Sequence, residues 1–162
     1  MLRELFFSIS LLYTFTGCVK KKVNIRNIKN IKNTHAQTHQ NIVVKEAMKY
    51  LGKPYKYGKS GPDSFDCSGF VYRVYRDIGI SIPRTSIEQS KIRGKKLSRY
   101  ELRAGDILFF DTGNRGHINH SGIYIGDSKF IHASSGKAHS VTISSLNGWY
   151  RDKFRWGKRV LK

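Results

Sequence analysis

Cys67, His120 and His132 are the residues of this chain whose types and settings suit covalent chemistry. Cys67 stands in Phe65-Asp66-Cys67-Ser68-Gly69-Phe70, where a loop gives way to apolar residues at helical spacing: Phe70, Val71, Val74, Tyr75 and Ile78. A helix over about 66–78 puts the sulfur among the first, unpaired backbone N–H groups. These favour an anion, lowering a thiol pKa from its usual value of about 8.5, and can also receive an oxyanion. Asp66 is the expected N-cap. Gly69, lacking a side chain, leaves room beside the sulfur for a peptide backbone.

A thiolate nucleophile needs a base that a third group orients. His120 opens the strand-like run 120–126, and His132 lies on the next, 129–134. Side chains alternate along strands, so a two-residue turn at Asp127-Ser128 sets the two rings on opposite faces. An odd loop, Gly126-Asp127-Ser128, or a bulge makes them diagonal neighbours on one face, within imidazole reach. The odd loop or bulge is the expectation. His117 and His139 read as solvated loop residues. His35 and His39 have helical metal-ligand spacing but no third ligand nearby. With no HExxH, CxxC, serine elbow or phosphate loop, neither a metal nor a cofactor is expected.

The elements that must position these groups are legible in outline. "NIVVKEAMKYLG" predicts a helix from Asn41 to a stop at Gly52, with Val43, Ala47, Tyr50 and Leu51 apolar. A Gly- and Pro-rich loop leads to the Cys67 helix. After Pro83 the sequence turns strand-like, at 106–110, 120–126, 129–134 and 140–145. Helices first and strands later predict an α+β domain with an antiparallel sheet. The terminal "WYRDKFRWGKRVLK" reads as aromatics packed in core and edge, with cations on the surface.

The chain has 162 residues, 39% hydrophobic and 12% aromatic, and a net charge of +19. That charge implies anionic surroundings: nucleic acid, anionic lipid or a carboxylate-rich bacterial wall. The N-terminus chooses among them. Arg3 precedes an apolar run, Leu5 to Phe15, too short for the roughly 20 residues of a membrane span and of signal-peptide length. Thr16-Gly17-Cys18 then resembles a bacterial lipoprotein processing site, with Phe15 in place of the usual Leu and Glu4 offsetting Arg3. The expected organisation is a signal peptide over 1–17, a basic tether over 18–40 with lipidated Cys18, and a folded domain over 41–162. Export argues against a nucleic-acid partner and leaves Cys67 as an unpaired, reactive thiol. A buried N-terminal helix and a Cys18–Cys67 disulfide are the alternatives.

From "LGKPYKYGKSGPDSFDCSGF" through "PRTSIEQ", "LRAGDILFF", "NHSGIYIGDSKFIHASSG" and "YRDKFRWGKRVL", the chain resembles the NlpC/p60 family of cell-wall cysteine peptidases, from about Val43 onward. Within it, the chain is most similar to short Gram-negative lipoprotein murein endopeptidases. The resemblance implies a reduced papain-like fold, Cys67 as nucleophile, His120 as base and His132 as its orienting group. It further implies Tyr55 near the oxyanion, Asp66 and Ser68 as substrate contacts, and hydrolysis of peptidoglycan stem peptides or diaminopimelate cross-links. The implied setting is a monomer held to a membrane by lipid on Cys18, at the outer membrane facing the periplasm. Tyr57 and Lys59 depart from the family's usual Trp and Gly. The competing expectations are a non-catalytic cationic wall-binding lipoprotein, and an amidase or acyltransferase on the same fold.

Overall fold

The computed structural model describes residues 42–161. The expected signal peptide, Cys18, the tether with His35 and His39, and the disulfide alternative all lie outside the described residues. Helical backbone runs over 42–48 (α1), Cys67–Asp77 (α2) and Ser86–Ser90 (α3), with a 3-10 turn at Arg99–Glu101. Five strands follow: β1 Ile107–Phe110, β2 His120–Gly126, β3 Lys129–Ala133, β4 Val141–Ser145 and β5 Phe154–Lys158. They form one antiparallel sheet in the order β4-β3-β2-β1-β5.

β1 lies between β2 and β5, and all four of its residues, Ile107 to Phe110, are fully buried, so both of its faces are covered. On one face Ile107, Phe109, Ile123 and Ile131 pack against α2 through Phe70, Val71, Val74 and Tyr75. On the other, Leu108, Phe110, Phe130 and Leu146 pack with Tyr150 and Phe154. Phe65 and Phe70, which flank the cysteine, are wholly buried and meet edge to face at 6.0 Å, fixing α2's start to the core.

Three details differ from the sequence expectation. α3 was not foreseen: at five residues it is too short for periodicity, and its N-cap Thr85 and Glu88 bond reciprocally instead. β5 also emerges from the terminal aromatic and cationic run, where it covers the free edge of β1. α1 ends at residue 48 rather than near Leu51, which is 47% exposed.

Candidate active site

Asp66 caps α2 as expected, accepting from the Gly69 N–H at 2.6 Å, so Cys67 is the first helical residue. What holds Asp66 is Arg84. Its guanidinium grips both carboxylate oxygens, at 3.0 and 2.6 Å, and also reaches Ser68 Oγ at 3.0 Å and the Lys59 carbonyl at 3.2 Å. A forked, largely desolvated pair of this kind fixes geometry in a way an exposed ion pair does not. Asp66 and Ser68 are therefore committed to internal bonds, while both still line the cavity in front of Cys67.

Gly69 has a role other than the expected one. A Cβ there would run into the Lys59 carbonyl and approach Arg84 and Asp66 at 2.9 Å. The space it leaves is filled by the protein's own loop, so Gly69 closes the loop onto the helix and gives a ligand no clearance.

The histidines meet through a combination of turn and bulge. Asp127 and Ser128 form a two-residue turn with φ of 49° and 56°, the left-handed pair of a tight hairpin. That turn alone would set the rings apart. A register shift between Tyr124 and Gly126 inserts one extra residue, and the rings come back to one face. Gly122 is as necessary: a Cβ there would lie 2.8 Å from the Phe130 ring, 3.0 Å from the Ile131 carbonyl oxygen and 3.1 Å from His132 Cβ.

His120 Nε2 and His132 Nδ1 are 2.9 Å apart, with the rings perpendicular. His132 Nε2 continues to Ser144 Oγ on β4, also at 2.9 Å. Phe110, Phe130 and Tyr150 surround the pair, Tyr150 stacking on His120 at 6.0 Å between ring centres. Burial lowers His120 from 6.5 to about 4, and burial together with His120 lowers His132 well below 6.5. Both imidazoles are neutral at pH 7.

Cys67 Sγ lies 3.7 Å from Ser86 Oγ and 3.9 Å from the Asn119 carbonyl, beside the entry to β2. Among the described residues no hydrogen bond joins the thiol to His120. The expected low thiol pKa is corrected here. Burial pushes the Cys67 thiol up, with Asp66 adding to it, while Ser86 and the backbone N–H groups of Ser121 and Ser68 pull it down by less. Desolvation outweighs the helix terminus, and the resting sulfur is a thiol.

The cavity over Cys67 holds about 560 Å³ and is lined by Tyr55, Asp66, Ser68, Arg84, His117 and Asn119 among others. Burial and the nearby Cys67 raise the Tyr55 hydroxyl's pKa, keeping it a donor. His117 borders this cavity from an exposed loop, and His139 packs against Tyr55 at 5.5 Å. Among the described residues no group of three potential metal ligands occurs.

Several site residues escaped the sequence reading. Arg84, Ser86 and Gln89 sit in the quoted "PRTSIEQ", where only the Thr85-x-x-Glu88 capping pattern signalled structure. Gln89 is fully buried and ties the Ser68 and Pro83 carbonyls to Ser121. Ser144 and Tyr150 carried no signal in the sequence.

Known proteins similar to this chain are numerous. Murein DD-endopeptidase MepH of Escherichia coli (strain K12) is 36% identical over 149 residues, which cover 83% of this chain and 55% of that protein. Murein DD-endopeptidase MepS/Murein LD-carboxypeptidase of the same strain is 40% identical over 114 residues, or 69% of this chain and 58% of that one. The chain thus matches a little over half the length of each. A crystal structure of an NlpC/P60 family protein from Bacillus cereus ATCC 10987 superposes with a TM-score of 0.69 at 34% identity, over 76% of this chain and 40% of that one. The sequence profile of the NlpC/P60 family matches residues 52–160, most of the chain and all of the site, and the protein belongs to that family.

Proposed function

We propose that this protein is a peptidoglycan hydrolase that cleaves peptide bonds of stem peptides or of their cross-links, with Cys67 as nucleophile, His120 as base and His132 as orienting group. The observation that carries the reading is the buried His120–His132 pair, 2.9 Å apart, at the strand entry beside the Cys67 sulfur. Because His132 occupies Nε2 of His120, Nδ1 is the nitrogen left to serve the thiol. In the competent tautomer Nε2–H of His120 donates to His132 Nδ1, and Nε2–H of His132 donates to Ser144 Oγ.

The resting pair is neutral, so the proton moves as the bond forms. Hydrogen bonds of this kind are commonly long in a free enzyme and tighten around substrate. Sγ attacks the carbonyl carbon while Nδ1 takes the thiol proton. The Cys67 N–H, unpaired at the first helical position, and the Tyr55 hydroxyl stabilise the oxyanion. The C–N bond then breaks, and the imidazolium gives its proton to the departing amine. Water, deprotonated by His120, hydrolyses the thioester and releases the sulfur, which recovers its proton.

In the same reading lipid on Cys18 anchors the domain as a monomer at the outer membrane facing the periplasm, with residues 18–40 as a basic tether. The chain's net charge of +19 suits wall carboxylates, and export argues against a nucleic-acid partner. Digestion of purified peptidoglycan tests the reading. Cross-linked fragments should fall and monomeric ones rise on mass analysis, and an unchanged fragment profile overturns the hydrolase reading.

A further inference from the structure

The Cys67 sulfur ends a line of buried polar side chains that the mechanism above leaves unused. Gln89 Oε1 lies 3.0 Å from Ser121 Oγ, Ser121 Oγ 3.5 Å from Ser86 Oγ, and Ser86 Oγ 3.7 Å from Cys67 Sγ. Gln89 and Ser121 are fully buried, and Ser86 is 7% exposed. Counting protons gives the line a direction. Both N–H groups of the Gln89 amide are committed, to the Ser68 carbonyl at 3.0 Å and the Pro83 carbonyl at 2.9 Å. Its oxygen can only accept, so the Ser121 hydroxyl donates to it and turns lone pairs toward Ser86.

At the other end the Cys67 thiol donates to the Asn119 carbonyl at 3.9 Å, so the sulfur also meets Ser86 with lone pairs. The one proton of the Ser86 hydroxyl therefore has two acceptors, Ser121 Oγ and Cys67 Sγ. Charge on the sulfur decides between them. A neutral thiol is a weak acceptor, and the proton belongs to Ser121, at a distance long enough for the hold to be loose. A thiolate makes a charge-assisted bond about twice as strong as a neutral one, and the proton turns to it.

We propose that the Ser86 hydroxyl is a two-position donor, turned to Ser121 while Cys67 is a thiol and to the sulfur when it carries charge, and that it assists release of the sulfur from the acyl-enzyme. In that step water adds to the thioester carbon and the C–S bond breaks with its electron pair left on sulfur. Ser86 donates a hydrogen bond to the thiolate without giving up its proton, and the thiol proton returns from His120, which took it from the water. This release step rests on the hydrolase reading given above. The charged or titratable groups around the sulfur are Asp66, Arg84, Tyr55, Tyr150, His117 and His120.

The test compares the full chain with Ser86→Ala and Ser121→Ala, neither of which alters those six groups, in the rate of Cys67 alkylation by iodoacetamide across pH. Ser86→Ala removes the donor to the thiolate: alkylation at pH 7 should slow about tenfold and its pH midpoint should rise. Ser121→Ala removes the competing acceptor and leaves Ser86 to the sulfur: alkylation should quicken and the midpoint should fall. Loss of packing alone would not move the two variants in opposite directions. Midpoints displaced to the same side, or not displaced, overturn the two-position donor. During cleavage of a cross-linked muropeptide dimer, intact-protein mass should show more acyl adduct on Cys67 in Ser86→Ala than in wild type, and equal occupancy overturns the role in release. Absence of cleavage by wild type overturns the hydrolase reading and the release step with it, while the alkylation profiles decide the two-position donor by themselves.

Discussion

Gly122→Ala is a one-methyl test of how the histidine pair is held. Gly122 pairs opposite His132 in the register set by Ile123↔Ile131, two residues from His120 on the same face. Its added Cβ would meet Phe130 Cδ2 at 2.8 Å, the Ile131 carbonyl oxygen at 3.0 Å and His132 Cβ at 3.1 Å. None of these can yield easily: Phe130, Ile131 and His132 are all fully buried, and the oxygen is backbone. The strands must part locally, and overpacking of this sort costs about 1–3 kcal/mol. At roughly 4 °C per kcal/mol, the melting temperature should fall by about 4–12 °C. Because His132 moves with β3, its 2.9 Å bond to His120 should loosen and kcat should drop about 10- to 100-fold. Calorimetry and a muropeptide cleavage assay measure the two effects. Gly148→Ala is the control, since its Cβ meets only the Ser145 carbonyl, at 3.9 Å. A Gly122→Ala protein with wild-type melting and wild-type kcat would refute the reasoning.

Four further outcomes are expected. Arg84→Met strands the Asp66 carboxylate, whose side chain is 10% exposed, and should cost about 3–5 kcal/mol in urea unfolding, with Arg84→Lys recovering part; a loss within experimental error contradicts the clamp. Ser144→Ala removes the acceptor for His132 Nε2 and should lower kcat about 3- to 10-fold with a changed His132 imidazole N–H signal in NMR, whereas an unchanged signal denies Ser144 that role. Since His120 falls from 6.5 to about 4 on folding and His132 also falls, the unfolded chain binds more protons than the folded one across that window. Folding stability should therefore rise with pH from about 4 to 6.5 and level off above as far as these two groups are concerned, and a urea midpoint that is flat there contradicts their burial as neutral rings. Cys67 alkylation by iodoacetamide should titrate above the ordinary thiol value because burial raises its pKa, and a midpoint below 7 would instead indicate a resting thiolate.

Much of the site was legible because it depends on local rules. Asp66 before an apolar helical pattern signals a cap, and that fixed Cys67 at the helix start. Strand alternation reduced the His120–His132 question to the parity of one connection, and the bulge beside Ile125 settled it. The rest needed tertiary information. The Arg84 clamp on Asp66 spans 18 residues and the His132–Ser144 bond spans 12, with no periodicity joining either pair. The pKa of Cys67 depends on how deeply α2 docks against β2, which helix position alone does not encode. The β5 run mixes aromatics and cations because the strand lies at a sheet edge, with Trp156 half-buried and Gly157 and Lys158 buried beside β1.

The central claim is that Cys67 attacks the peptide carbonyl and His120 moves the proton. Rates of cleavage of a purified cross-linked muropeptide dimer by wild type, Cys67→Ala and His120→Ala, each shown to be folded by circular dichroism, test it directly. The account predicts turnover by wild type and loss of at least about a thousandfold in both variants. A folded Cys67→Ala protein that still cleaves the dimer at the wild-type rate would contradict it.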